Sequence, residues 1–111
     1  MSEQRRALRK YVDGVMQVTN AMTGVVMGRV GNLSIDGMMM IANAPIRDDA
    51  LFQIAFQLPD EQGRLTPLEV GMHEQWTEPA NAPGQYWAGF RIIDLASRDF
   101  ELIESWVNGK R

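Results

Sequence analysis

The feature of this sequence that most constrains its fold is a succession of short apolar segments separated by turn-forming residues. Clusters of Gly, Pro, Asn and Asp interrupt the chain, as in the segment 59–63, and such clusters mark turns. Between them, six segments have the length and apolar content of β-strands. These predicted strands are residues 12–18, 25–30, 38–41, 51–58, 65–76 and 86–93. Strands that follow one another without intervening helices exclude a parallel βαβ sheet.

In the C-terminal segment, the spacing of apolar residues is different from that in the predicted strands. Its apolar residues recur with helix-like spacing. They are Leu95, Phe100, Leu102, Ile103, Trp106 and Val107. Ser97, followed by Glu101, indicates an N-cap, and Asn108-Gly109 indicates the end of the helix. The sequence therefore predicts a mainly β fold, an antiparallel barrel or sandwich with a C-terminal α-helix packed on one end.

Length and composition are those of an ordinary folded domain. The 111 residues suit a single domain, and 45% hydrophobic with 23% charged residues is typical of one. The absence of cysteine excludes disulfides and thiolate metal sites. No apolar run approaches the ~20 residues of a membrane helix, and the polar start of the chain is unlike a signal peptide. We therefore expect a cytoplasmic protein that does not insert into membranes.

Catalytic chemistry finds little support in the sequence. His73 is the single histidine, and it stands beside Glu74 in a strand-like stretch, where a surface role is commoner than a catalytic one. No cluster of histidine and cysteine offers three or four metal ligands. Neither a G-x-S-x-G elbow nor a Walker-type phosphate loop is present. The sequence therefore predicts a protein that is not an enzyme and that needs no cofactor or metal.

A basic cluster near the N-terminus contrasts with the acidic remainder of the chain. Arg5, Arg6, Arg9 and Lys10 lie within six residues, whereas the formal net charge of the chain is −3. Such a cluster suits a small anionic ligand better than a long polyanion. Guanidinium groups make forked contacts with phosphate and with the O6/N7 edge of guanine. Taken alone, however, the cluster is more typical of a solvated chain end than of a site.

A second element lies between two predicted strands. Asn32-x-Ser34-x-x-Gly37 offers an amide, a hydroxyl and a backbone position that permits a positive φ or a close approach of the chain. These neutral groups can bind a base edge or a phosphate. Trp76 ends a predicted strand before a loop rich in proline and glycine, so it is the tryptophan best placed to present a ring face to a ligand.

The two elements together resemble the signature of the PilZ domain family, which is R-x-x-x-R followed by [D/N]-x-S-x-x-G. Here the first motif is residues 5–9 and the second is residues 32–37. The apolar run after Gly37, the position of Trp76 and the C-terminal helix are also similar to that family. The resemblance implies a small six-stranded antiparallel β-barrel with a C-terminal helix over residues 12–111, preceded by a flexible arginine-bearing segment over residues 1–11.

The same resemblance implies a ligand, the bacterial second messenger cyclic di-GMP. The arginines would hold phosphate and guanine, and the second motif would contact the other guanine edge from the barrel surface. The binding residues that the resemblance implies are Arg5, Arg6, Arg9, Asn32, Ser34, Gly37 and Trp76.

Three functional hypotheses follow. The first is a cyclic di-GMP receptor whose N-terminal segment becomes ordered on binding and which then signals to a partner effector protein. The second is a PilZ-like protein-interaction module that binds no nucleotide. The third is a small β-barrel that binds single-stranded nucleic acid through basic and aromatic residues. The net negative charge argues against the third.

Overall fold

The computed structural model describes residues 8–109. Within them, seven strands and one helix follow one another along the chain. They are β1 (Lys10–Tyr11), β2 (Gln17–Asn20), β3 (Val26–Leu33), β4 (Gly37–Ala42), β5 (Leu51–Pro59), β6 (Leu65–Pro79), β7 (Tyr86–Asp94) and α1 (Ser97–Val107). Every strand pairing is antiparallel.

Six of these strands close into a barrel. The hydrogen-bonded order is β3-β2-β5-β6-β7-β4, and β4 pairs back onto β3. The remaining strand, β1, pairs with the end of β3 through Lys10–Leu33 and Tyr11–Asn32. Closure leaves the six barrel strands without an open edge, which removes a template for aggregation. The prediction of a six-stranded antiparallel barrel with a C-terminal helix is confirmed.

The core is built from alternate residues of the strands, which point inward. Their side chains are almost completely buried. They include Val18, Val30, Met38, Met40, Ile54, Leu58, Val70, Met72 and Phe90. The helix α1 packs against β5 and adds Ile103 and Val107 to the same core, as its apolar period predicts.

The first predicted strand, residues 12–18, is wrong in its bounds. A bend at Asp13-Gly14 separates β1 from β2, and Gly14 has a φ of 105°, which favours glycine. Val15 is consequently 80% exposed, whereas Val18 is fully buried in β2. The spaced valines therefore mark a loop and one strand, because a left-handed backbone position interrupts the extended chain between them.

The helix ends at its predicted stop but begins differently. Ser97 is the first helical residue, and the N-cap position belongs to Ala96, which provides no capping side chain. At the other end, Asn108 is the C-cap and its backbone N–H donates to Glu104. Among residues 8–109 no helix is long and apolar enough to cross a membrane.

Candidate ligand-binding site

The outer face of four neighbouring strands, β3, β4, β7 and β6, brings several predicted site residues together. Across these strands, Asn32 lies opposite Met39, Met39 lies opposite Gly89, and Gly89 lies opposite Trp76. Residues 32 and 76 are far apart in sequence, so only barrel closure places them in one row. The row of four residues crosses the candidate site from β3 to β6.

Two β-bulges turn Asn32 and Trp76 to this outer face. The register shifts between Val30 and Asn32 in β3, and between Glu74 and Trp76 in β6. Val30 and Glu74 are buried, so strict alternation would turn the residue two positions later inward as well. The extra residue in each bulge reverses the alternation. A β-bulge therefore sets the outward orientation of the residue at each end of the row, Asn32 and Trp76.

Arg9 meets the second motif directly. Its Nη1 donates a hydrogen bond of 2.6 Å to Oδ1 of Asn32, a residue 23 positions further along the chain. Because β1 pairs with the end of β3, the residue just before β1 lies beside this asparagine. The bond also orients the Asn32 amide, whose oxygen faces the guanidinium. Asn32 is only 5% exposed, so its Nδ2 is a donor at the floor of the outer face. Arg9 is itself exposed, so its other donors can reach a ligand.

The segment Ser34–Gly37 forms a tight turn that is held by its own serine. Ser34 Oγ accepts the backbone N–H of Gly37 at 3.1 Å and donates to the carboxylate of Asp36 at 2.6 Å. The backbone N–H of Ser34 donates to the carbonyl of Gly37 at 2.9 Å. Ser34 is fully buried, so its place is beneath the site, where it shapes the turn.

Two glycines leave space on the outer face that a β-carbon would fill. A β-carbon on Gly37 would lie 2.6 Å from the carbonyl oxygen of Phe90 and 3.5 Å from Nη2 of Arg9. A β-carbon on Gly89 would overlap the indole ring of Trp76. Glycine at 89 therefore lets the indole lie against the backbone of β7. Trp76 is still 44% exposed, so part of its ring is accessible.

Arg91 lines the candidate site and was not among the residues predicted from the sequence. It lies on β7 opposite Gly37 of β4 and His73 of β6, and it is exposed. A charged residue inside the apolar segment 86–93 is a signal that could have indicated it. Its side of the barrel could not be assigned without the register of β4 against β7.

These residues surround one cavity of about 520 Å³. Its lining includes four of the predicted residues and several that were not predicted. The predicted ones are Arg9, Asn32, Gly37 and Trp76, and the others include Asp36, Met39, Gln75 and Arg91. Two guanidinium groups outnumber the single carboxylate, Asp36, so the cavity is cationic on an acidic chain. Arg5 and Arg6 lie outside the described residues.

His73 and Glu74 make local contacts next to this cavity. His73 Nε2 pairs with Asp49, and its Nδ1 is 3.0 Å from Nε2 of Gln75, so both ring nitrogens have partners. Glu74 is buried and accepts the backbone N–H of Asp49 at 2.7 Å and the hydroxyl of Thr77 at 2.5 Å. Across residues 8–109, no group of three or more His, Asp or Glu side chains could hold a metal ion.

The fold and the cavity define a small closed β-barrel with a cationic, tryptophan-lined hollow on its outer face. No protein-family model and no curated protein matches the sequence. Among solved structures, the chain is similar to the inhibitor of motility MotI/DgrA from Bacillus subtilis, with a TM-score of 0.76 and 11% identity. The match covers 96% of this chain and 50% of that one, so this chain spans half the length of the inhibitor. The likeness is one of fold, a small β-barrel with a C-terminal helix.

Proposed function

We propose that this chain is a PilZ-like receptor for cyclic di-GMP that signals to a partner effector protein in the bacterial cytoplasm and catalyses no reaction. The observation that carries the proposal is the hydrogen bond from Arg9 to Asn32, because it joins the two halves of the motif across 23 residues. The fold likeness to an inhibitor of motility supports a regulatory module.

The cavity has the donors that such a ligand needs. Cyclic di-GMP carries two phosphates and two guanines, and guanidinium groups make forked contacts with both. Arg9 and Arg91 line the cavity, and the resemblance adds Arg5 and Arg6 to the same site. In this arrangement the arginines hold phosphate and one guanine edge. The Asn32 amide and the backbone at Gly37 contact the other guanine, on a turn that Ser34 holds.

Trp76 provides the apolar wall of the proposed site. A guanine ring that stacks on an indole gains about 1–3 kcal/mol by alanine-substitution measurements on base–aromatic pairs. The indole lies against Gly89, so the backbone of β7 restricts the movement of the ring. A ring that is already restricted loses little conformational entropy when a base stacks on it, which favours binding.

The proposed signal is a change in the N-terminal segment. Arg9 directly precedes β1, which already pairs with β3, so ligand contacts made by Arg5, Arg6 and Arg9 would fix the residues before β1 against the barrel. The ordering cost must be exceeded by the contacts with the ligand. The ordered segment then presents a new surface to the effector protein.

A calorimetric titration of the full chain with three ligands tests the proposed function. Cyclic di-GMP is expected to bind, GMP to bind much more weakly because it offers half of the groups, and a single-stranded oligonucleotide to give no salt-dependent binding. Absence of heat and of amide shifts with cyclic di-GMP would instead support a PilZ-like module without nucleotide. Oligonucleotide affinity that falls steeply with salt would support a nucleic-acid-binding barrel.

Replacing Trp76 with alanine is expected to weaken cyclic di-GMP binding about tenfold or more, since one base loses its stacking partner. Trp76→Phe should retain most of the affinity because a smaller aromatic face remains. Gly89→Ala should resemble Trp76→Ala, because the new methyl group displaces the indole. Calorimetry on the three variants checks this, and equal affinity in Trp76→Ala and the wild type would remove Trp76 from the site.

A further inference from the structure

A second, larger concavity of about 910 Å³ lies between β1, the turn from β5 to β6, and the last turns of α1. We call this concavity the helix groove. Its lining shares Tyr11 with the cationic cavity but contains neither Arg9 nor Trp76. The neighbouring residues Arg9 and Lys10 line different concavities. Arg9 lines the cationic cavity and donates to Asn32, whereas Lys10 lines the helix groove and donates to the carbonyl of Trp106 at 3.0 Å.

The floor of the helix groove is apolar and partly open. It is formed by Tyr11, Val12, Met16, Pro59 and Trp106. Tyr11 is 71% exposed, whereas Val12, Met16 and Trp106 are partly buried against the core. Aromatic residues and methionine are enriched at protein interfaces, and an open groove lined by them can receive apolar anchors of a partner.

The rim of the helix groove is acidic. It contains Asp13, Asp60, Glu61, Glu101 and Glu104. Among residues 8–109, the lining has one cation, Lys10. Its Nζ donates to the Trp106 carbonyl and lies 4.7 Å from the centre of that indole ring. The last turn of α1 contains no basic residue, so the negative end of the helix dipole adds to the same field.

We infer that the helix groove is the docking site for a basic amphipathic helix of a partner protein. The apolar floor accommodates residues spaced at i, i+3, i+4 and i+7 on one face of such a helix. The rim then faces lysine or arginine side chains that flank this apolar stripe. Charge complementarity selects this partner over an acidic segment, a nucleic acid or a nucleotide, all of which the five carboxylates would repel.

The inference goes beyond the proposed function, because the helix groove needs no nucleotide to bind its partner. It also differs from the cationic cavity in charge and in the class of ligand. A single experiment without cyclic di-GMP therefore tests the docking site, and its failure would leave nucleotide binding untouched.

The test is a titration of the isotope-labelled full chain with a synthetic peptide of about fourteen residues, with leucine at the i, i+3, i+4 and i+7 positions and lysine elsewhere. The largest amide shifts are expected at Tyr11, Glu101, Glu104 and Trp106. In the variant Glu101→Lys/Glu104→Lys, the dissociation constant of the peptide should rise about tenfold, because two attractions become repulsions. This variant should fold, since both side chains are exposed and lysine at position 104, in the last turn of the helix, is favourable.

A matched variant and a matched peptide separate docking from plain charge attraction. Glu69→Lys/Glu78→Lys makes the same charge change at exposed positions of β6 and should bind the peptide within a factor of about two or three. A peptide of the same composition with its leucines scattered should bind about tenfold more weakly. Equal binding of both peptides, or equal losses in both double variants, would overturn the inference. So would a dimer of the chain alone that Glu101→Lys/Glu104→Lys dissolves, because the occupant would then be a second copy.

Discussion

Replacing Arg9 with alanine is expected to weaken cyclic di-GMP binding by about tenfold to a hundredfold. One good forked contact between arginine and a guanine edge contributes about 1–3 kcal/mol, which corresponds to that range of dissociation constants. Arg9 combines such a contact with the 2.6 Å bond to Asn32, so its loss also frees the amide to rotate. Calorimetry on wild type and variant measures the change.

Two comparisons make this prediction specific to the site. Arg98→Ala removes an exposed arginine in the first turn of α1, away from the cavity, and should leave the affinity unchanged. Arg9→Lys keeps the charge but loses the fork, so it should bind more weakly than wild type. Arg5→Ala should weaken binding to a similar extent as Arg9→Ala. If Arg5→Ala and Arg9→Ala both bound as tightly as wild type, the site assignment would be wrong.

Replacing Ile103 with alanine is expected to lower the free energy of unfolding by about 2–5 kcal/mol. Ile103 is fully buried and belongs to the same core cluster as the barrel strands. Truncation removes apolar contacts and leaves a cavity that the rigid barrel cannot refill. Urea unfolding followed by circular dichroism measures the midpoint and the slope for each protein.

The exposed Glu101 on the same helix provides the control for this change. Glu101→Ala should alter the free energy of unfolding by no more than about 0.5 kcal/mol. Because the cationic cavity is built by strands and their turns, folded Ile103→Ala protein should still bind cyclic di-GMP with unchanged affinity. A loss below about 1 kcal/mol for Ile103→Ala would show that α1 does not unfold together with the barrel.

Most of the fold could be predicted because the spacing of apolar residues differs clearly between strands and helices. Segments such as 51–58 and 86–93 correspond closely to β5 and β7, and the change of period after residue 93 corresponds to α1. The first strand was wrong in its bounds, since its valines cross a glycine with positive φ. The second predicted strand, 25–30, was too short, since β3 extends to Leu33 and includes Asn32. The length of β6 was underestimated as well. Beyond its pairing with β5 it continues along β7 to Pro79, so Trp76 lies inside the strand and not at its end.

The candidate site was only partly accessible from the sequence. The family resemblance implied that Arg9, Asn32 and Gly37 belong together, and these three residues do line one cavity. The geometry separates Ser34 from them, because its hydroxyl bonds within its own turn. Arg91 and Met39 could not be predicted, since which side of a strand faces solvent depends on register, and a shift of one residue reverses it.

By itself, the sequence determined the class of fold and the chemistry available to the chain. Alternating apolar segments required an antiparallel β structure, and a basic cluster on an acidic chain indicated an anionic ligand. Only the tertiary structure decided how those groups face one another. The bulges before Asn32 and Trp76 turn both residues outward, and the β1–β3 pairing brings Arg9 to Asn32. The physical reason is that propensity acts over a few neighbouring residues, whereas register and closure depend on strands that are distant in sequence.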